Sequence, residues 1–285
     1  MADKLIINAA ITGMVPTKRD NPFVPLSVEE IIAEARRVRA AGASIIHVHA
    51  RDEQGRPTCD LATHQRIVDG VRTACPDLII SGSTSGRVFG TAEQRMVALE
   101  TGVDLASLTL GSMNFPSGPS INAPEMIQRL ARRMGERGIV PELECFDLGM
   151  VDYARDYLLP KKILGRPLYF NLLLGSLGTA AATAGNLATL VGALPPGATW
   201  AGAGIGRFQT EMNRRAIEMG GHIRIGLEDN LWFDPEKTVP ATNVSLIERI
   251  VKIARAAGRE PAAPREAREM IGLGPRVAAA GGRGP

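Results

Sequence analysis

Two histidines one residue apart, His47 and His49, stand in the run Ile45-Ile46-His47-Val48-His49-Ala50-Arg51-Asp52. Side chains alternate faces along a strand, so residues two apart point the same way. Two imidazoles converging from one backbone make half of a metal site. A second run, Gly221-His222-Ile223-Arg224-Ile225-Gly226-Leu227-Glu228-Asp229-Asn230, ends an apolar stretch in adjacent carboxylates. His47, His49 and Glu228 would leave positions open for water or substrate, as catalytic metal sites do. Imidazole and carboxylate suit zinc, and also iron, cobalt or manganese. Asp229 points away from Glu228 and is a candidate base. Arg224 lies deeper, on the Glu228 face, where its fork of donors could hold Asp229 or a substrate carboxylate. A buried structural ion pair is the competing role for Arg224.

Other runs carry weaker chemistry. Ser81-Gly82-Ser83-Thr84-Ser85-Gly86-Arg87 combines hydroxyls and glycines, which suit close approach to a ligand oxygen, or simply an ordinary loop. Ala201-Gly202-Ala203-Gly204-Ile205-Gly206-Arg207 lacks the spacing of a dinucleotide fingerprint. As a glycine-rich turn it suits phosphate, with Gly204, Gly206 and Arg207 as candidates, or it is a turn needing glycine for sterics alone. Only His64 and His222 remain beyond the pair, one in a helical stretch and one at the far end of an apolar run. Both read as structural, which argues against the His-rich binuclear amidohydrolase barrels.

These residues need a frame that brings distant runs together. Brief apolar runs at Leu5–Ile11, Ser44–His49, Leu78–Gly82, Leu105–Leu110, Ile139–Cys145, Leu168–Leu174, Thr199–Gly204 and His222–Leu227 read as strands buried on both faces. Helical patterns follow near 28–41, 62–74, 92–101, 124–136, 148–159, 183–193, 208–219 and 243–257. Ser27 with Glu30 forms a capping box before the first and Gly42 ends it; Thr242 and Gly258 bracket the last. Eight β-then-α rounds without a linker predict a single (β/α)₈ TIM barrel over residues 1–272. In such a barrel the last strand neighbours the first, which neighbours the second, so Glu228 can approach the two histidines. Residues 273–285, rich in Gly, Ala, Arg and Pro, read as a tail, mobile or packed on a neighbouring subunit.

Composition bounds the setting. The chain has 285 residues, 33 basic and 30 acidic, for a net charge of +3. No basic-aromatic stripe stands out, which argues against nucleic acid as a partner. The three cysteines, Cys59, Cys75 and Cys145, form no C-x-x-C motif and fit a reduced, cytoplasmic setting. The first apolar run is too short for a signal peptide or a membrane span.

Assembled, the chain resembles the β-keto acid cleavage enzyme family, founded on 3-keto-5-aminohexanoate cleavage. The markers are Ala9-Ala10-Ile11-Thr12-Gly13, His47-Val48-His49, Ser83-Thr84, Gly111-Ser112-Met113-Asn114-Phe115, Pro141-Glu142-Leu143-Glu144, Gly204-Ile205-Gly206-Arg207 and the run from Gly221 to Asn230. The resemblance implies zinc on His47, His49 and Glu228, and a reaction in which a β-keto acid and acetyl-CoA give acetoacetate and a new acyl-CoA. It places the family's base pair on Asp229 and Arg224, a substrate-contacting serine on Ser83, and a fourth-strand hydroxyl on Ser107, where the family has threonine. Thr84, Asn114 and Glu142 are expected at the substrate, Gly204, Gly206 and Arg207 at the CoA. A homo-oligomer, a tetramer, is implied as well.

One departure matters. The aminohexanoate enzymes carry a glutamate for the substrate ammonium where this chain has Val15, after Met14. An ammonium there would be unpaired. A β-keto acid with an apolar or neutral distal group is therefore expected, with Arg87 keeping a dicarboxylate open. The alternatives are an aldolase-type metal barrel lyase acting without CoA, and a non-catalytic barrel that binds a small anion.

Overall fold

The computed structural model describes residues 4–116 and 118–274. Its barrel strands are β1 (Ile7–Ala10), β2 (Ile45–Val48), β3 (Ile79–Gly82), β4 (Leu105–Thr109), β7 (Val140–Cys145), β8 (Tyr169–Leu174), β9 (Thr199–Gly204) and β10 (His222–Ile225). A short antiparallel hairpin, β5 (Met113–Phe115) with β6 (Gly118–Ser120), interrupts the series in the loop after β4. The eight barrel strands close in the order β1-β10-β9-β8-β7-β4-β3-β2, every pair parallel. The expected barrel is the observed one.

The barrel interior changes character with height, because residues two apart share the inward face. Ile45, Ile79, Leu105 and Tyr169 form an apolar layer near the strand starts. Two residues on, His47, Ser81, Ser107 and Asn171 form a polar layer, all buried. The bottom layer is covered by a helix that sequence periodicity had left unassigned, α9 (Pro264–Ile271), which packs Ala267 and Ile271 against it. Its signals were local: Pro264 in the first turn, the Glu266 side chain accepting from Ala263 N at 2.7 Å, and Gly272 in the left-handed region at the stop.

The outer helices are α1 (Val28–Ala41), α2 (Leu61–Ala74), α3 (Ala92–Met96), α4 (Pro124–Glu136), α5 (Leu148–Asp152), α6 (Ala184–Ala193), α7 (Gln209–Glu218) and α8 (Asn243–Ala256). A 3₁₀ turn extends α3 and a π turn, Tyr153–Leu158, extends α5. The Ser27–Glu30 capping box is present on α1 and Gly42 closes it with φ 117°. No helix among the described residues is long and apolar enough to cross a membrane. Of the tail expected over 273–285, residues 275–285 lie outside the described residues.

Candidate active site

A cavity of about 780 Å³ opens at the C-terminal ends of the strands, with His47, His49, Glu228, Asp229 and Arg224 on its wall. β2 carries His47, and His49 follows directly after its end, so that the two rings converge on the cavity. Glu228 arrives from the turn after β10, its backbone N–H donating to Ala10 O at 3.1 Å. Gly13, with φ 75°, lets the end of the first βα loop press onto that turn; a Cβ there would sit 2.9 Å from Glu228 Cγ.

The three donors converge. His47 Nε2 and His49 Nε2 are 3.3 Å apart, and His49 Nε2 lies 3.2 Å from Glu228 Oε1. Glu228 Oε2 is 3.8 Å from His47 Nε2 and, though buried, has no hydrogen-bond partner among the described residues. The shorter separations are close to the edge, roughly 3.3 Å, of a tetrahedron of donors about 2.0–2.1 Å from one ion. Burial drops His49 to about 4, outweighing the pull of Glu228, so its imidazole is neutral and has a lone pair to offer. Burial works against charge on His47 too, but Glu228 and Glu142 outweigh it and raise that residue. The donor set and its spacing fit a divalent ion.

Beneath them, Glu142 fixes His47. Its Oε2 is 3.4 Å from His47 Nδ1, and it accepts from Asn8 Nδ2 at 2.7 Å and from Ser81 and Asn171. Burial would raise its carboxyl, yet His47, Arg224 and Ser81 hold it down at about 2. A carboxylate behind a ligating histidine sets the tautomer and ring orientation. This corrects the expectation that Glu142 meets substrate: it is fully buried and off the cavity wall.

Glu144, one pleat nearer the rim, does line the cavity. It accepts from Arg224 Nη1 at 3.0 Å and Thr109 Oγ1 at 2.7 Å, and burial raises its carboxyl against the pull of Arg224. Sequence reasoning passed over Glu144, although the alternation used for His47 and His49 pairs it with Glu142. Arg224 also donates to Glu228 Oε1 at 2.9 Å and to Asp229 Oδ2 at 2.9 Å. Burial raises the Asp229 carboxyl, with Arg224 pulling it down and Glu228 adding to the rise.

The remaining candidates divide. Val15, Ser83, Ser107, Gly206 and Arg207 line the cavity. Thr84 does not; it is buried behind Ser107, donating its N–H to Ser107 Oγ at 3.1 Å and its hydroxyl to Ser107 O at 2.5 Å. Asn114 is exposed and off the wall, whereas its hairpin neighbours Met113 and Phe115 face the cavity. Gly204 is buried against the Phe208 backbone, where no Cβ would fit, so its place is steric. His64 and His222 bind backbone, at Thr58 O (3.1 Å) and Ile6 N (3.2 Å), as structural residues do.

Fold and site together define a (β/α)₈-barrel enzyme with its candidate site at the C-terminal rim of the strands. Residues 4–273 match the beta-keto acid cleavage enzyme model, and the chain belongs to that family. It is an acyltransferase of the carbon–carbon-cleaving kind. Over 274 residues, 96% of this chain and 99% of the relative, it is 41% identical to the 3-keto-5-aminohexanoate cleavage enzyme of Fusobacterium nucleatum subsp. nucleatum. It is 37% identical over 276 residues to the 3-oxoadipate:acetyl-CoA acetyltransferase of Cupriavidus necator, covering 96% of each. Among solved structures, apo ObcA matches with a TM-score of 0.77 at 22% identity, over 89% of this chain and 66% of that one, and shares the fold.

Proposed function

We propose that the chain is a zinc-dependent β-keto acid cleavage enzyme that uses acetyl-CoA and releases acetoacetate and a new acyl-CoA. The observation that carries this is the meeting of His47, His49 and Glu228 with the Asp229–Arg224 pair on one cavity wall. Bound to the trio, zinc would act as a Lewis acid on the β-keto oxygen.

The chain's own residues account for the proton and the orientation. Asp229, raised by burial, is a stronger base than an ordinary carboxylate, and Arg224 keeps it aimed. It takes a proton from the methylene between the keto and carboxylate groups, and the carbon so freed attacks the thioester carbon of acetyl-CoA and expels the CoA thiolate. That thiolate adds to the keto carbon and breaks its bond to the methylene carbon, which recovers the proton, so acetoacetate and the new acyl-CoA are released. Ser83 and Ser107 offer hydroxyls to substrate oxygens, and Thr84 holds Ser107 in place. Gly206 and Arg207, on the rim, are the assignment for the CoA. The substrate lacks a distal ammonium, because Val15 supplies no anion. A homotetramer in the cytoplasm belongs to the same reading, in keeping with the family and with three free cysteines.

The deciding experiment incubates the metal-replete protein with short β-keto acids, with and without acetyl-CoA, and measures acetoacetate. Acetoacetate formation only with acetyl-CoA is expected. Cleavage that proceeds equally without it would replace this reading by the aldolase-type lyase.

A further inference from the structure

The cavity holds a cation that the chemistry above does not use. Arg87, in the loop after β3, is half-buried on the wall, its guanidinium carbon 3.5 Å from the centroid of the Phe115 ring. Among the described residues that guanidinium has no hydrogen-bond or ion-pair partner; the residue's hydrogen bond is from its backbone N–H to Ser85 Oγ, at 3.3 Å. The acids across the cavity do not fill its donors, since Glu228, Asp229 and Glu144 all accept from Arg224. Burial pulls Arg87 below its ordinary value, and those acids act on it only through space, in the opposite sense.

The placement is built into the framework. Gly86 lies so close to its surroundings that a Cβ would come within 2.7 Å of Ile121 O and 2.8 Å of Arg95 Nη1. Buried Arg95 donates to Thr84 O at 2.8 Å, Asn122 Oδ1 at 2.7 Å and Ile121 O at 3.3 Å. It thereby ties the Arg87 loop to the segment leaving the hairpin that carries Phe115. A guanidinium stacked on a ring keeps its edge free and loses little freedom when a planar anion arrives. Arg207 and Arg249 also lie over rings, of Phe208 and Phe233, but Arg207, like Lys237, is exposed at the rim, Arg249 has a donor committed to Phe233 O at 2.5 Å, and Arg224 is saturated with carboxylates. Phe115 lies under Arg87, and Val15 and Met113 add apolar side chains to the cavity wall, so the anion that would pair this guanidinium comes with the ligand.

Resting on the function proposed above, we infer that the β-keto acid carries a second carboxylate at its distal end and that Arg87 binds it, making β-keto dicarboxylic acids the preferred substrates. The reacting carboxylate sits one methylene from the keto carbon, beside the histidines and Glu228. Arg87 faces Glu228 and Asp229 from beyond ion-pair distance, which leaves room for the substrate chain between that end and its guanidinium. Val15 and Arg87 then act in the same sense, both against an ammonium.

The test compares wild type, Arg87→Gln and Arg87→Lys on a length-matched pair, 3-oxohexanoate and 3-oxohexanedioate, with acetyl-CoA. Wild type should favour the diacid, and the ratio of kcat/KM for diacid over monoacid should fall about tenfold to a hundredfold in Arg87→Gln, the range for a charged hydrogen-bonded pair. Arg87→Lys should fall between. A wild type without diacid preference overturns the inference, as does an Arg87→Gln that slows both acids alike, which would put Arg87 on the reacting carboxylate. Calorimetry with the unreactive acids adipate and hexanoate separates this inference from the function it rests on. If no β-keto acid turns over, the function fails, and tighter adipate binding that Arg87→Gln abolishes still upholds the Arg87 assignment. Equal binding of the two acids by wild type sinks it.

Discussion

Arg224 grips Asp229 with two donors, Nε to Oδ2 at 2.9 Å and Nη2 to Oδ1 at 3.2 Å. The same guanidinium reaches Glu228 Oε1 at 2.9 Å and Glu144 Oε1 at 3.0 Å. One buried cation thus orients the candidate base and a candidate metal donor together. The two roles open to Arg224 from sequence, structural ion pair and positioning group, are one role here. Its many partners also set the guanidinium well above its ordinary value, although burial alone would lower it.

Asp229→Asn keeps the shape of the side chain but cannot take a proton. The expected outcome is a fall in kcat of about 10²–10⁴ with metal content unchanged. Steady-state kinetics beside metal analysis checks both halves. Near-normal kcat would remove Asp229 from the role of base.

His47→Ala and Glu228→Ala should each release the ion while the barrel persists, since the core is large and apolar without it. Elemental analysis and far-UV circular dichroism read the two parts. Full stoichiometric metal in either variant would refute the ligand assignment.

Val15→Glu places a carboxylate on the cavity wall where the chain now has an apolar side chain. Preference should move toward 5-amino-3-oxohexanoate, by a factor of roughly ten or more if the new pair is desolvated. The reading is kcat/KM for the amino acid against 3-oxohexanoate in both proteins. An unchanged ratio would show that Val15 does not set specificity.

Asp104, at the bottom of the barrel, pairs with Arg72 at 2.6 Å and with Arg268 of α9. Burial would raise its carboxyl, but Arg72, the Ile80 N–H and Arg268 outweigh it and hold it below 3.8. A depressed folded value means stability that is present above the unfolded value and lost as pH falls through the folded one. Asp104→Asn should therefore cost up to roughly 3–5 kcal/mol near neutrality, and the gap to wild type should narrow below about pH 4. Denaturant melts at pH 7 and pH 3 test this; a gap that stays constant would mean that Asp104 does not titrate with folding.

Local pattern alone determined the eight strands, the caps on α1 and α8, and the placing of His47, His49, Glu228 and Asp229 at strand ends. Each depends on near neighbours: alternation along a strand, a capping side chain three residues away, a glycine at a stop. What pattern could not decide was height within the barrel and what lies opposite. Glu142 and Glu144 share a face and differ by one pleat, yet one is sealed under His47 and the other looks into the cavity. Asn114 and Phe115 are adjacent, and only the hairpin's orientation sends the ring inward. Arg87 already kept a dicarboxylate open from sequence, but only the fold laid it on Phe115 with no ion-pair partner among the described residues. Strand pairing and closure set these relations between residues far apart in the chain. A short-range pattern can name the residues that carry chemistry, but only the closed barrel decides which of them meet.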